Sequence, residues 1–236
     1  MASLNAIYMK ISLCLIVWNE LEGCKIDVPN LPRHDFKEVY AIDGGSTDGT
    51  VEYLQFEGIP VYRQPKEGLN AAYIHAVDKS TCDAVVVFFP KGTTSTDSLL
   101  RFRPLLEEGN DLVVASRNIR GARNEEDEKL FRPRKWGVLT LAFLASAIWR
   151  KEGCMIRDVL HGYKAFTVSG FRKMAVLDYG LSIDIEMVVR SYRLSLKRTE
   201  FPIVETSRKF GETRFKILPT SIKLIKYLWW ELNRKD

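Results

Sequence analysis

The chain has 236 residues, of which 46% are hydrophobic and 28% charged, and it carries a formal net charge of +5. That balance fits a globular protein with one substantial core. No apolar run approaches the roughly 20 residues needed to cross a bilayer, and Ile11 to Trp18 is too short and too weakly flanked by basic residues for a signal peptide, so a cytoplasmic location is expected.

Lys10 to Trp18 reads as a first strand, Val39 to Ile42 as a second, Ile59 to Tyr62 as a third, Asp83 to Phe89 as a fourth and Leu112 to Ala115 as a fifth. Thr50 to Phe56 and Leu69 to Val77 supply crossover helices between strands, which predicts an α/β chain with a mostly parallel central sheet. Asn118 to Lys135 is polar, charged and without apolar periodicity, and reads as a mobile loop. Gly137 to Trp149 is then a core or interfacial helix, Ile183 to Arg190 a further helix, Thr199 to Val204 an edge strand because of Pro202, and Ser221 to Trp230 an amphipathic terminal helix. The expected organisation is one domain over 1–218 with an amphipathic helix over 219–236. Cys14, Cys24, Cys82 and Cys154 lack CxxC spacing and nearby histidine pairs, so they are expected to be reduced core thiols.

The segment most suited to a ligand is Ala41-Ile-Asp-Gly-Gly-Ser-Thr-Asp-Gly-Thr50. Gly44, Gly45 and Gly49 permit positive φ and close approach, and Asp43 and Asp48 place acceptors at the carboxyl edge of a sheet, where open α/β folds bind nucleotides. A tight turn followed by a helix capped by Asp48 or Ser46 explains part of the same pattern. Basic residues crowd into Arg117 to Arg134 and Arg208 to Lys235, which implies an anionic partner. Nucleic acid is the least favoured of these, because aromatic residues are not interleaved with the charges.

Taken in order, Val17-Trp-Asn-Glu20, the Asp43 segment, Ser116-Arg117, Asp158-Val-Leu-His-Gly-Tyr-Lys-Ala-Phe166, Asp184-Ile-Glu186 and Arg208-Lys-Phe-Gly-Glu-Thr-Arg214 resemble family 2 glycosyltransferases of the GT-A fold. The similarity is strongest to the polyprenyl-phosphate sugar transferases. It implies a nucleotide-sugar donor held by Trp18, Glu20 and Asp43, with Lys66 and Asn70 nearby, and a donor diphosphate approached by Arg208, Thr213 and Arg214. Trp18 offers a stacking face and Asp43 an acceptor. The arginines can make charge-assisted bonds to phosphate, although a solvated basic loop would look the same.

The resemblance breaks after the fourth strand. Family members usually carry an Asp-x-Asp motif there that holds a divalent metal, and this chain has Phe89-Pro-Lys91-Gly92. Hard cations need oxygen ligands, so the metal site is expected to be lost and no cofactor is expected. Two explanations follow. Lys91, helped by Arg208 and Arg214, replaces the metal in a metal-independent transferase. Alternatively, catalysis is lost and the fold binds a nucleotide sugar or a partner protein.

For a sugar-hydroxyl acceptor the resemblance offers Asp158 or Asp184 as general base, though either can equally be structural. A lipid phosphate, already anionic, needs only alignment. In the polyprenyl-phosphate branch the acceptor phosphate meets arginines after the fifth strand, which implies Arg117 and Arg132 or Arg134; the serine expected four residues on is Val138 here. The terminal helix mixes Ile222, Leu224, Ile225, Leu228, Trp229 and Trp230 with Lys223 and Lys226. That pattern suits a bilayer interface, a docking helix or a homo-oligomer contact, the first implying peripheral attachment at the inner face of the membrane.

Overall fold

The computed structural model describes residues 9–124, 126, 127, 131–178, 180–208, 210 and 217–234. The elements run β1 (Ile11–Val17), α1 (Leu21–Asp27), β2 (Glu38–Asp43), α2 (Thr50–Phe56), β3 (Val61–Arg63), α3 (Leu69–Lys79), β4 (Ala84–Phe88), α4 (Phe102–Glu107), β5 (Leu112–Ser116), α5 (Pro133–Trp149), β6 (Lys164–Thr167), α6 (Val168–Met174), α7 (Ile183–Arg193), β7 (Arg198–Pro202) and α8 (Ile217–Asn233).

Seven strands form one sheet in the order β3-β2-β1-β4-β6-β5-β7. Every pairing is parallel except those of β6, which runs antiparallel to both β4 and β5. The expected mostly parallel α/β architecture is therefore present. Central strands such as β1, β4 and β5 are buried along their whole length, which is why they read as continuous apolar runs. Alternate residues feed separate cores: Cys14 and Ile16 join one with α3, α5, α6, α7 and α8, while Leu13, Leu15 and Val17 join another with α1, α2 and α4. The result is a three-layer sandwich with helices on both faces.

Several expectations need correction. Ile59 is not in the third strand; it is a buried residue whose N–H bonds to Leu54 O at the end of α2, and β3 begins at Val61. The stretch Asn118 to Lys135 is not all loop, because α5 starts at Pro133, whose fixed φ suits the first helical turn. Strand β6 escaped the sequence reading since it is short and opens on a lysine, and Lys164 is nevertheless fully buried. Cys154 is exposed, unlike the other three thiols, so it is not a core residue. β7 does lie at the sheet edge, and Pro202 ends it there.

Helix α8 turns Leu224 and Tyr227 into the core. Its buried Glu231 is gripped by Arg190 and Arg193 from α7, each at 3.2 Å, and by the Tyr227 hydroxyl at 3.2 Å. The opposite face exposes Ile222, Ile225, Trp229 and Leu232, spaced at helical periodicity.

Candidate active site

Because β1, β2, β4, β5 and β7 are mutually parallel, their carboxyl ends share one edge of the sheet. From this edge come Trp18 to Glu20, the Asp43 turn, Lys91, Arg117 and Glu205. It is the edge at which open α/β sheets take ligands.

The Asp43 turn is built almost entirely from its own neighbours. Asp43 is buried, and its carboxylate accepts from the N–H groups of Gly45 at 2.8 Å and Ser46 at 3.1 Å. Gly45 takes φ of 98°, the left-handed region that closes such a turn. Asn19, itself at φ of 51°, locks the first-strand end to it: Asn19 Oδ1 accepts from Thr47 N at 2.7 Å, and Asn19 N donates to Ser46 Oγ at 2.8 Å. Trp18 lies half-exposed over Gly44, where any Cβ would sit 3.2 Å from the Trp18 side chain. The N-cap of α2 is Gly49 rather than Asp48 or Ser46, but Asp48 accepts from the first N–H of both α1 and α2, Leu21 N at 3.1 Å and Thr50 N at 3.0 Å. Burial pushes its carboxyl up, but the bonds from Thr50 and Leu21 outweigh that and hold it below the ordinary value. A carboxylate has about four acceptor directions, so Asp43 retains capacity for a donor on a ligand.

The cation-rich end of the site is assembled from distant residues. Arg117 makes a two-pronged pair with the fully buried Asp158, Nε to Oδ2 at 2.8 Å and Nη2 to Oδ1 at 3.0 Å, while its Nη1 donates to Glu205 Oε2 at 2.9 Å. The Arg117 backbone N–H also donates to Asp158 Oδ2 at 2.9 Å. Burial alone would raise the Asp158 carboxyl; Arg117 overrides it and holds it at about 2. Burial opposes the charge on Arg117, yet Asp158 and Glu205 more than compensate and raise its pKa. His161 places Nδ1 2.6 Å from Ala115 O, so that nitrogen carries the proton, and burial lowers the imidazole pKa. Its Nε2 faces Glu205 Oε1 at 3.9 Å.

Lys91 is half-buried, with Nζ 4.9 Å from the centre of the Phe89 ring. Burial lowers its pKa; the carboxylates of Glu20 and Glu205 pull it back up, and Arg208 and Arg117 add to the lowering. Arg208 in turn pairs with Glu20 and donates Nε–H to Phe210 O at 2.6 Å. Three of the expected site residues, Lys91, Arg117 and Arg208, are thereby brought into one electrostatic neighbourhood. The turn is held from behind by Asp27, which accepts from Gly92 N at 2.8 Å and whose carboxyl burial pushes up to about 6.

At this turn the side chains are a phenyl ring, a pyrrolidine and an ammonium, none of which supplies an oxygen to a hard cation. Phe89 is seated against Gly162, where an added Cβ would lie 2.5 Å from its ring. Among the described residues no cluster of three or more His, Cys, Asp or Glu side chains is arranged to hold a metal. The side chains of the Phe89 to Lys91 turn do not fit the divalent cation that the resemblance places there.

Other expected residues make contacts separate from this cluster. Lys66 pairs with Asp178, both well exposed. Asp184, in the first turn of α7, receives Lys164 Nζ at 2.9 Å on its carboxylate and at 2.8 Å on its carbonyl, and burial lowers the lysine pKa. Asn70 ties α3 to α7, donating to Glu186 at 3.0 Å and accepting from Ile183 N at 3.0 Å. Arg132 pairs with Asp127 at 3.1 Å, and Arg134 is exposed in the first turn of α5. Thr213 and Arg214 fall outside the described residues. Glu205 went unnoticed in the sequence, since its partners Arg117 and His161 lie far away along the chain and no local pattern marks it.

The glycosyl transferase family 2 profile matches residues 13–179, which include the Asp43 turn, Lys91, Arg117 and Asp158. The chain belongs to this family. Glycosyltransferase AglJ of Haloferax volcanii is 28% identical over 85% of the chain, which spans 65% of the length of that relative. The undecaprenyl-phosphate mannosyltransferase of Micrococcus luteus is 23% identical over 87% of each chain. A UDP-N-acetylglucosamine–dolichyl-phosphate N-acetylglucosaminyltransferase of Methanococcus voltae is 22% identical over 70% of this chain and 72% of its own. In fold, this chain and glucosyl-3-phosphoglycerate synthase of Mycobacterium tuberculosis superpose with a TM-score of 0.72 over 97% of this chain and 82% of that one, at 17% identity. The synthase has also been captured with Mn²⁺, UDP-glucose and glycerol 3-phosphate. The GT-A fold expected from the sequence is thus present.

Proposed function

We propose that this chain moves a sugar from a nucleotide-sugar donor to a polyprenyl phosphate or a related acceptor, with Lys91 and Arg208 in place of a divalent metal at the departing diphosphate. The observation that carries this reading is the convergence of Lys91, Arg117 and Arg208 at the sheet edge that also holds the Asp43 turn. Trp18 stacks on the base and Asp43 accepts from the nucleoside. The acceptor phosphate oxygen attacks the anomeric carbon, the bond to the donor diphosphate breaks, and the nucleoside diphosphate leaves with that electron pair. Fixed cations aimed at the developing charge lower the barrier without reorganisation. Arg117, with Arg132 or Arg134, receives the acceptor phosphate, and Lys66, Thr213 and Arg214 complete the donor side.

A phosphate acceptor requires no general base, which suits the two candidate carboxylates. Asp158 is fully engaged with Arg117, and its depressed pKa makes it a poor proton acceptor near neutrality. Asp184 is occupied by Lys164. Both serve to orient cations in this reading.

The acceptor's lipid chain implies peripheral attachment to a membrane at its cytoplasmic face. The exposed Ile222, Ile225 and Trp229 of α8, beside the exposed Lys223 and Lys226, suit an interface with anionic lipid, and no helix among the described residues is long and apolar enough to cross a membrane. The test is product formation from a panel of nucleotide sugars and a polyprenyl phosphate, with and without EDTA. Stabilisation by a nucleotide sugar without product or donor hydrolysis would instead identify a binding protein that has lost catalysis.

A further inference from the structure

Glu205 occupies an unusual position between the two proposed phosphate sites. Its backbone is fixed on both sides: Glu205 N donates to Arg123 O at 3.0 Å, Thr206 N donates to Thr93 O at 2.8 Å, and Glu205 forms an antiparallel bridge with Thr94. The strand-like segment after β7 therefore sews the loop carrying Lys91 to the loop after Arg117. Its side chain is mostly buried and accepts from Arg117 Nη1 at 2.9 Å, on the edge of the guanidinium that Asp158 leaves open. The bond to Thr93 and the bridge to Thr94, two and three residues after Lys91, bring the same carboxylate within electrostatic range of Lys91.

We propose that Glu205 is a positioning residue shared by both phosphate sites, fixing the orientation of Arg117 and supplying the counter-charge that holds Lys91 ready before any phosphate arrives. This rests on the reading of Lys91 as the cation facing the diphosphate. The groups that act on Lys91 are Glu20 after β1, Arg208 and Glu205 after β7, and Arg117 after β5; those on Glu205 are Arg117, His161 and Lys91; Asp27 holds the adjacent Gly92. Cations already oriented and neutralised in a partly dry cleft need little reorganisation when the ligand displaces their counter-ions. Burial works against the charge on Lys91, and Glu205 works for it, so removing that carboxylate makes Lys91 lose its proton at lower pH.

The test uses the full chain with isotopically labelled lysine side chains, titrated by NMR, the Lys91 resonance being identified by its loss in Lys91→Arg. In Glu205→Gln the Lys91 midpoint moves to lower pH, while Glu205→Asp, which keeps the charge, restores it toward wild type. Binding of inorganic pyrophosphate, measured in parallel, fails at lower pH in Glu205→Gln than in wild type, and this shift disappears in a Lys91→Arg background. Glu205→Ala serves as a second uncharged variant if the amide does not fold. An unmoved Lys91 midpoint in a folded uncharged variant overturns the proposal, as does an equal pyrophosphate shift in the Lys91→Arg background. Full turnover by Lys91→Met would remove the diphosphate reading instead, leaving the effect of Glu205 on the Lys91 midpoint to stand or fall by itself.

Discussion

The two ends of the site are constructed in opposite ways. At the end proposed for the nucleotide, Asp43 closes a turn on Gly45 and Ser46, two and three residues away, and Asn19 secures it. At the end proposed for the phosphates, Arg117 reaches Asp158 and Glu205, 41 and 88 positions distant, and Arg208 reaches Glu20 across 188. The first is a product of local backbone chemistry; the second exists only once the sheet has formed. Disruption should therefore behave differently at each end.

The largest effect is expected at the buried pair. Arg117→Ala leaves Asp158 charged, buried and unpaired, and should cost about 3–5 kcal/mol of stability in denaturant titrations, as breaking such pairs does. Next is Lys91→Ala, for which turnover should fall by roughly 10²–10³, the loss typical when one fixed donor to a developing anion is removed. Its fold should remain, since the side chain is half-buried and anchored in a turn held by Asp27. Full turnover by this variant would break the contrast between the two ends.

Acidity separates the supports of the phosphate end. Asp158 has its pKa depressed from 3.8 to about 2, so it contributes stability that is present above about pH 4 and lost as pH falls toward 2. Asp27 is raised from 3.8 to about 6, so its contribution is present below about pH 4 and lost as pH rises through 6, on the order of 2–3 kcal/mol. Asp27→Asn, carrying no titrating group, should therefore flatten the stability profile between about pH 4 and 6 in denaturant titrations and be the more stable protein at neutral pH. A profile unchanged by that substitution would mean that burial at the end of α1 is not what Gly92 and its turn depend on.

The smallest effect belongs to the nucleotide end. Asp43→Asn keeps a carbonyl oxygen for the turn and loses only charge, so nucleoside diphosphate affinity should weaken by about tenfold or less, the equivalent of a single hydrogen bond. Calorimetry with UDP and GDP measures it. A collapse of the fold would show that the turn is less self-sufficient than its local bonds indicate.

The same division explains what could be read from the sequence. Glycines and carboxylates in Asp43 to Gly49 announce a turn because their partners are adjacent, and continuous apolar runs announce β1, β4 and β5 because both sheet faces are covered. Arg117 and Lys91 stood out through the family resemblance. Their partners did not: Glu205 has no local signature, and Lys164 made β6 look unlike a buried strand, although Asp184 neutralises it. Nor could spacing reveal that Asp158 spends its carboxylate on Arg117, which is a fact of tertiary contact. Phe89 and Lys91 were legible as a departure from the family pattern, and the seat of the Phe89 ring on Gly162 supplies its physical setting.

The proposal turns on Lys91 and Arg208 standing where the family resemblance implies a divalent metal. Turnover of the nucleotide sugar and polyprenyl phosphate, measured after exhaustive EDTA treatment and again with added Mn²⁺, tests it most directly. Equal rates are expected in both, with Lys91→Ala slow in both. Activity that vanishes with EDTA and returns with Mn²⁺ would contradict it.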